Sequence, residues 1–425
     1  MFRIFYEFAL WLLLLIALPK LIYQRWKYGK YRNSLAQRFG KDFPKIDKKE
    51  KKLVWIHAVS VGESKAVAAL AKRIKQELDN PIILISSTTE TGHAETLRSM
   101  PFADFHVYMP LDFRHIICPI VDRIKPDVVI LCETDFWYNF LSSCKAVGAF
   151  VAVVNGKLSI RSLERLKRFS FFSKQLFSLV DKFCVQNALY QNRFEQIGVP
   201  SSKIVVTGNI KFDEEYPRLS TEELQRWKEQ LGISPDDQVL VIGSSHSPEE
   251  EILLDVLRDV WQKCPKLKVL LVPRHPERFN EVAGLLAKKA IPFVRFSAIN
   301  SRTGNESVIL VDAMGVLRKC YQLADVAIVA GSYTPRVGGH NIIEPCWFSV
   351  PVFFGPHMQT QLELVELVAE YHAGMQVTPE NLAEALIACL TDPAKRTEFG
   401  EGGVKLVHDL RGATSKTWKA LDLKK

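Results

Sequence analysis

LVWIHAVSVGESKAVAALAKRIKQEL, residues 53–78, reads as a strand, a turn and a helix in succession. The apolar run at 53–57 suits a buried strand, Gly62 permits a tight turn, and residues 64–78 place apolar side chains at helical spacing. The same succession recurs. Short apolar runs at 82–86, 127–131, 150–154, 183–185 and 204–207 read as further strands, with amphipathic stretches such as 161–179 between them. Strand–helix alternation implies a parallel sheet covered by helices.

The alternation pauses at 211–237, which is charged, carries Pro217 and Pro235, and reads as a linker holding a short helix at 221–231. A second series follows, with strands expected at 239–243, 268–272, 307–310, 325–330 and 350–354. The fold class is therefore α/β, with two Rossmann-like domains facing a cleft. The expected division is an anchor at 1–24, a basic juxtamembrane segment at 25–52, a first domain at 53–215, a linker at 216–237 and a second domain at 238–393. A helical segment at 394–425 follows, able to cross back to the first domain.

A length of 425 residues suits two domains and a short extra piece. The net charge of +9 is modest for that length and does not choose among nucleic acid, an anionic membrane and an acidic substrate. The eight cysteines form no CxxC-type pair and read as reduced core thiols. At the N-terminus FALWLLLLIALP, residues 8–19, is an unbroken apolar run at the edge of the length a membrane span needs. No small-residue cleavage site follows it. Arg25, Lys27, Lys30 and Arg32 follow instead, interleaved with Trp26, Tyr28 and Tyr31. Cations after an apolar segment hold the rest of the chain on the cytoplasmic side. A short span and a monotopic anchor both fit.

Open α/β sheets bind ligands at the carboxyl ends of their strands, so the turns there should carry the chemistry. The first strand runs into Ser60, Gly62 and Glu63, and the run at 127–131 leads into Glu133 and Asp135. The run at 82–86 leads into the hydroxyl-rich Thr88, Thr89 and Thr91, which suit either a sugar or a helix cap. Lys211 follows the last strand of the first half. In the second half Ser244 ends one strand, and Pro273, Arg274 and His275 end another. A planar arginine fork suits phosphate. The most specific segment, GSYTPRVGGHNIIEP at 331–345, places a Gly-rich loop after a strand, with a helix expected to open near Asn341. Backbone N–H groups and a helix dipole there would bind an anion, and Glu344 would accept from ribose hydroxyls. GxGxxG and Walker A sequences are both missing.

Gly-Gly-His-Asn-x-x-Glu-Pro at 338–345, Pro-Arg-His-Pro-Glu-Arg at 273–278, Val-Ser-Val-Gly-Glu at 59–63 and Gly-Asn-x-Lys-Phe-Asp at 208–213 together resemble the bacterial 3-deoxy-D-manno-octulosonic acid (Kdo) transferases, glycosyltransferase family 30. The resemblance runs from the N-terminal anchor to about residue 415. It implies a GT-B fold with an acceptor-binding first half and a CMP-binding second half, inverting and metal-independent, with no cofactor. It implies Glu63 as proton acceptor, with Glu133 and Lys211 supporting the transition state. It places CMP against Arg274, His275, Met314, Gly315, Val316, Asn341, Ile342, Ile343 and Glu344, and the turns themselves add Ser244, Pro273, Gly338, Gly339 and His340 as CMP-side candidates. Ser60, Gly62, Thr88, Thr89 and Thr91 are the acceptor-side candidates. Val316 stands where the family commonly has glutamate, and Asp135 replaces a longer carboxylate. The partners implied are CMP-Kdo, a lipid A precursor and inner-membrane lipid, and not nucleic acid. One, two or more transfers by one site would leave the same motifs. The competing readings are a nucleotide-sugar epimerase of the same fold, a glycosyltransferase with another nucleotide-sugar donor, and a membrane-bound scaffold that has kept the fold.

Overall fold

The computed structural model describes residues 2–29 and 34–424. Lys30, Tyr31 and Arg32 of the expected basic segment lie outside the described residues. The chain divides into two compact units, Met1–Glu214 with Leu410–Lys425, and Glu215–Asp409.

The N-terminal unit is built on seven parallel strands: β1 (Leu53–His57), β2 (Ile82–Ser87), β3 (Phe105–Tyr108), β4 (Val128–Cys132), β5 (Phe150–Gly156), β6 (Lys182–Val185) and β7 (Ile204–Val206). Their order is β3-β2-β1-β4-β5-β6-β7. Every residue of β1 and β4 is buried. Successive side chains go to opposite faces. Leu53, Trp55 and Leu131 join one core layer, while Val54, Ile56 and Ile130 join the other. Both faces are covered, which is why these strands read as unbroken apolar runs rather than as alternation. On the second face lie helix Val61–Glu77 and the C-terminal helix Ala413–Leu421, tied together by Arg73 Nη1 donating to Ser415 Oγ at 2.8 Å. The stretch expected as one helix at 161–179 is two, Ile160–Arg168 and Ser170–Ser178, broken where Phe169 leaves helical geometry.

The C-terminal unit carries a second parallel sheet: β8 (Gln238–Ser245), β9 (Leu267–Pro273), β10 (Phe293–Arg295), β11 (Val308–Leu310), β12 (Val326–Val329), β13 (Val352–Phe354) and β14 (Gly374–Gln376), in the order β10-β11-β9-β8-β12-β13-β14. The helix Thr221–Leu231 starts with a capping box between Ser220 and Glu223 and ends at Gly232, whose φ is 69°. All eight cysteines are free thiols.

The N-terminal helix runs Phe2–Tyr28, so the expected boundary at residue 24 falls inside it. Its Arg3–Lys27 portion has a mean hydropathy of 1.9 and is long and apolar enough to cross a membrane. It is not a free extension. Tyr6, Leu10 and Leu14, one helical face, pack against the core of the N-terminal unit. The Tyr6 hydroxyl donates to Asp112 Oδ2 at 2.7 Å, Glu7 Oε1 accepts from the Arg114 N–H at 3.0 Å, and Arg3 Nη2 donates to Ser142 Oγ at 2.8 Å. The other face leaves Phe5, Phe8, Leu15 and Ile16 about two-thirds exposed or more. The following segment is also bound to the unit: Gln37 Oε1 accepts from the Tyr108 N–H of β3, and Lys48 pairs with Asp127 at 2.8 Å.

The winding switches sides of the first strand between β1 and β4 in one sheet and between β8 and β12 in the other, where β11 also inserts between β9 and β10. Ligands of open α/β sheets bind outside the carboxyl ends of the strands at such a switch point.

Candidate active site

Glu63 stands one turn beyond β1. Ser60 caps helix Val61–Glu77, and the cap is reciprocal: Ser60 Oγ accepts from the Glu63 N–H, while the Glu63 carboxylate accepts from the Val59 N–H and from Ser60 Oγ, both at 2.9 Å. Burial lifts the Glu63 pKa above the ordinary carboxylate value, and the nearby Glu133 charge adds to this against the pull of those two donors and of His57. The result is a carboxylate oriented by its own helix start and more proton-hungry than an exposed one.

Glu133, directly after β4, has a φ of 65°, a left-handed conformation uncommon for a side chain of its size. Its carboxylate is 8% exposed and lies between two ammonium groups, Lys211 at 2.8 Å and Lys157 at 2.6 Å. Burial alone would raise its pKa, but the two lysines outweigh burial and hold it below the usual range. Lys211 also borders the Glu63 turn, its Nζ 4.0 Å from where a Cβ on Gly62 would stand. Lys157 escaped the sequence reading: it is the first residue after β5, in an unremarkable Asn155-Gly156-Lys157 stretch, and nothing in its spacing points at Glu133. Asp135, despite its short side chain, accepts from Trp137 Nε1 and meets His57 Nε2, each at 2.9 Å. His57 is fully buried and its Nδ1 lies 2.8 Å from Ser86 Oγ, so Asp135 ties the ends of β4, β1 and β2 together.

Of the acceptor-side candidates, Ser60 and Thr89 serve as helix caps. Thr89 Oγ1 accepts from the Gly92 N–H at 3.0 Å and donates to the Val59 carbonyl at 2.8 Å. The Thr88 carbonyl accepts from Arg38. Gly62 and Thr91 are exposed. The five residues thus gather around the ends of β1 and β2.

In the C-terminal unit Ser244 sits at the end of β8 with a φ of 59°. Pro273 closes β9, the Arg274 N–H donates to the Ser245 carbonyl at 3.0 Å, and the side chains of Arg274 and His275 are exposed. In the loop after β12, Gly338 and Gly339 have φ values of 86° and 89°, and a Cβ on Gly339 would stand 2.3 Å from Met358 Sδ. Only glycine fits there. His340 Nε2 lies 2.8 Å from His246 Nε2, so one ring donates and the other accepts. Burial, then the charge of a neighbouring histidine (His275 for His246, His246 for His340) and of nearby arginines, presses both pKa values down to about 4, which leaves the pair neutral at pH 7.

The expected helix at Asn341 is not formed. Residues 342–344 make turns, and a four-residue 3-10 helix, Pro345–Phe348, follows. Pro345 has no N–H to return to the Asn341 carbonyl, and Ser349, at a φ of 61°, reverses the chain. Backbone N–H groups, not a helix dipole, are what this loop offers an anion. Ile342 and Ile343 are 0% and 2% exposed, so their side chains belong to the core. Asn341 Oδ1 accepts from the Ile343 N–H at 3.1 Å. Glu344 pairs with Arg318 at 3.6 Å, and Arg318 follows the turn of Met314, Gly315 and Val316.

A further residue missed from sequence is Glu249, one of three consecutive glutamates and therefore inconspicuous. It is fully buried, and its carboxylate accepts from the N–H groups of Gly331, Tyr333 and His246, at 2.6, 3.1 and 2.8 Å. It thereby fastens the loop after β12 to the turn after β8. Burial raises its pKa to about 7 against those three donors. Among the described residues no group of three or more His, Cys, Asp or Glu is placed to hold a metal.

Residues 33–214 match the family model of the 3-deoxy-D-manno-octulosonic-acid transferases. The chain is 36% identical over 409 residues to the 3-deoxy-D-manno-octulosonic acid transferase of Chlamydophila psittaci, covering 96% of this chain and 93% of that one. Its fold is shared with a glycosyltransferase of Rickettsia africae (17% identity, TM-score 0.58, 88% and 98% of the two chains). It is shared equally with the UDP-GlcNAc 2-epimerase of Neisseria meningitidis (14% identity, TM-score 0.58, 88% and 100%), so fold alone does not separate transferase from epimerase. The two seven-stranded parallel sheets are of the GT-B type, and sequence identity over nearly the whole length decides the rest: the chain belongs to the Kdo transferases and is a glycosyltransferase.

Proposed function

We propose that this Kdo transferase takes its sugar from CMP-Kdo and attaches it to a lipid A precursor, inverting the anomeric carbon, with Glu63 as the base. The observation that carries the mechanism is the Glu63 carboxylate, fixed by the Val59 N–H and Ser60 Oγ and raised in proton affinity by burial. An acceptor hydroxyl attacks the anomeric carbon and gives its proton to Glu63. The bond from that carbon to the phosphate oxygen breaks, and its electron pair leaves with CMP. A base works best when its pKa approaches the operating pH, the direction in which Glu63 is shifted. Glu133 and Lys211 support the transition state around the reacting sugar, and Arg274 suits the negative charge on the leaving phosphate. Glu344 and the backbone around Gly338–His340 suit ribose and phosphate, with Ile342 and Ile343 fixing that backbone from beneath. Ser60, Gly62, Thr88, Thr89 and Thr91 line the acceptor side.

The N-terminal helix supports a place at the cytoplasmic face of the inner membrane. Its first two turns are hydrogen-bonded to the catalytic unit through Arg3, Tyr6 and Glu7, so they are not free to cross a bilayer. Its apolar outer face, with Arg25 and Lys27 at its end, suits a helix lying in the headgroup layer. Incubation of the purified protein with CMP-Kdo and a tetraacylated lipid A precursor, followed by mass spectrometry of the lipid, tests the assignment. A product heavier by one or more Kdo units is expected. Unchanged lipid with CMP-Kdo left intact would overturn the donor assignment.

A further inference from the structure

From the pairing of Lys157 with Glu133 we infer that Lys157 is a substrate-binding residue, joining Lys211 in a two-lysine seat for an oxyanion of the substrate. The inference rests on the function proposed above. Two ammonium groups on opposite oxygens of one carboxylate leave a net positive charge. The carboxylate is 8% exposed while the two lysine side chains are 40% and 39% exposed, so the charge faces outward from a buried base. Each ammonium has three N–H donors and gives one to Glu133, which leaves donors on both for an incoming anion. An exposed ion pair holds little energy, but a nearly buried carboxylate with two cations is a different case.

The backbone is shaped to make this arrangement. The β5–β6 register shifts between Val153 and Gly156, and Asn155 inside that irregularity has a φ of 53°. Asn155 is fully buried and its Oδ1 accepts from the Ile210 N–H at 3.0 Å, the residue before Lys211. One side chain therefore stitches the turn that carries Lys157 to the turn that carries Lys211. Glu133 itself is held left-handed between them. Sparsely populated backbone conformations at two of these three turns are strain that the surrounding structure must maintain, and such strain collects where function demands a geometry. A lysine needed only for solubility requires none of it.

The anion is a carboxylate or a phosphate. The transferred sugar is itself an acid, and its carboxylate sits beside the reacting carbon. The lipid acceptor brings phosphate. The test uses the full-length enzyme in detergent, with Lys157→Met and Lys157→Arg, each substrate varied against saturation by the other, and CMP affinity and melting temperature measured alongside. Lys157→Met is expected to raise KM or lower kcat about tenfold or more, the scale of a lost charged hydrogen bond. Lys157→Arg should recover most of that, with CMP affinity unchanged. A change confined to CMP-Kdo assigns the sugar carboxylate, and one confined to the acceptor assigns its phosphate. Kinetic constants within twofold of wild type in Lys157→Met would overturn the inference, as would a loss that arginine fails to restore. Wild-type protein unable to use CMP-Kdo would sink the donor assignment and this inference together, whereas active wild type with an unaltered Lys157→Met sinks this inference alone.

Discussion

The turn after β4 and the loop after β12 stand at the switch points of their own sheets, yet they are built from opposite materials. The first concentrates ionised side chains: Glu133 between Lys157 and Lys211, with Glu63 close enough to feel the Glu133 charge. The second removes charge. His246 and His340 are pressed toward neutrality, Glu249 is fully buried and used on backbone N–H groups, and the loop presents glycines. A group that moves a proton or meets developing charge must itself be charged and tuned. A loop proposed to hold a nucleotide needs chiefly rigid donors and room. The comparison separates chemistry from binding, and substitution in each region should separate kcat from affinity.

The largest effect should come from Glu63→Gln. The amide keeps the shape and removes the basicity, so kcat should fall about 100-fold or more, the usual scale for loss of a general base. Binding of CMP should stay within twofold, because that belongs to the other region. The wild-type rate should also decline with falling pH, beginning above the range of an exposed glutamate, since the proposed base acts in its ionised form and burial has raised its pKa. A near-native rate in the glutamine variant would break the comparison on the catalytic side.

A smaller effect is expected from Glu344→Ala. Its carboxylate faces Arg318 at 3.6 Å, and removing it takes away an acceptor for ribose hydroxyls. Calorimetric titration should show CMP binding weakened about tenfold, the order of a lost charged hydrogen bond, with little change in kcat at saturating donor. Equal affinities would make Glu344 a structural partner of Arg318 and would leave the glycine loop to hold the nucleotide by backbone alone.

How much of this was legible from sequence follows from the physics of each element. Most of the eleven strands read from sequence announced themselves because both of their faces are covered and a continuous apolar run results; the edge strand β7, Ile204–Val206, shows through its β-branched run although only Ile204 is buried. The three not read from sequence, β3, β10 and β14, are the short edge strands FHVY, FVR and GMQ, and each has at most one buried residue. Edge strands face water, so their composition carries little signal. Glu63, Glu133 and Lys211 stand out as candidates in the sequence because they follow strong strands or lie in recognisable motifs. Lys157 and Glu249 do not, because their roles depend on partners 24 and 82 residues away. The helix expected at Asn341 failed on a local rule, the proline four residues on.

The N-terminal helix offers the finest test, because it adds a structural charge to the catalytic region's functional ones. Asp112 is 4% exposed and accepts from the Tyr6 hydroxyl and from the N–H groups of Asn139 and Phe140, at 2.7, 3.0 and 2.7 Å. It thus joins the helix at the N-terminus to the start of helix Tyr138–Ala146. Burial raises its pKa from 3.8 to about 7, against the pull of those donors. Because the folded value lies above the unfolded one, the folded state holds the proton more tightly, and the stability Asp112 contributes is lost as pH rises from about 4 through about 7. The Tyr6 hydroxyl favours the charged form, so Tyr6→Phe should remove stability chiefly above pH 7. The expected loss is about 1–2 kcal/mol at pH 8 and clearly less at pH 5, the scale of one hydrogen bond to a charged group. Unfolding in detergent at the two pH values measures it, with CMP titration as the control that the nucleotide loop is untouched. Equal losses at both pH values would show that Tyr6 acts through its ring, which packs 5.4 Å from Tyr138 and 6.0 Å from Phe172, rather than through Asp112. No loss at either would return the helix to the role of a detachable anchor.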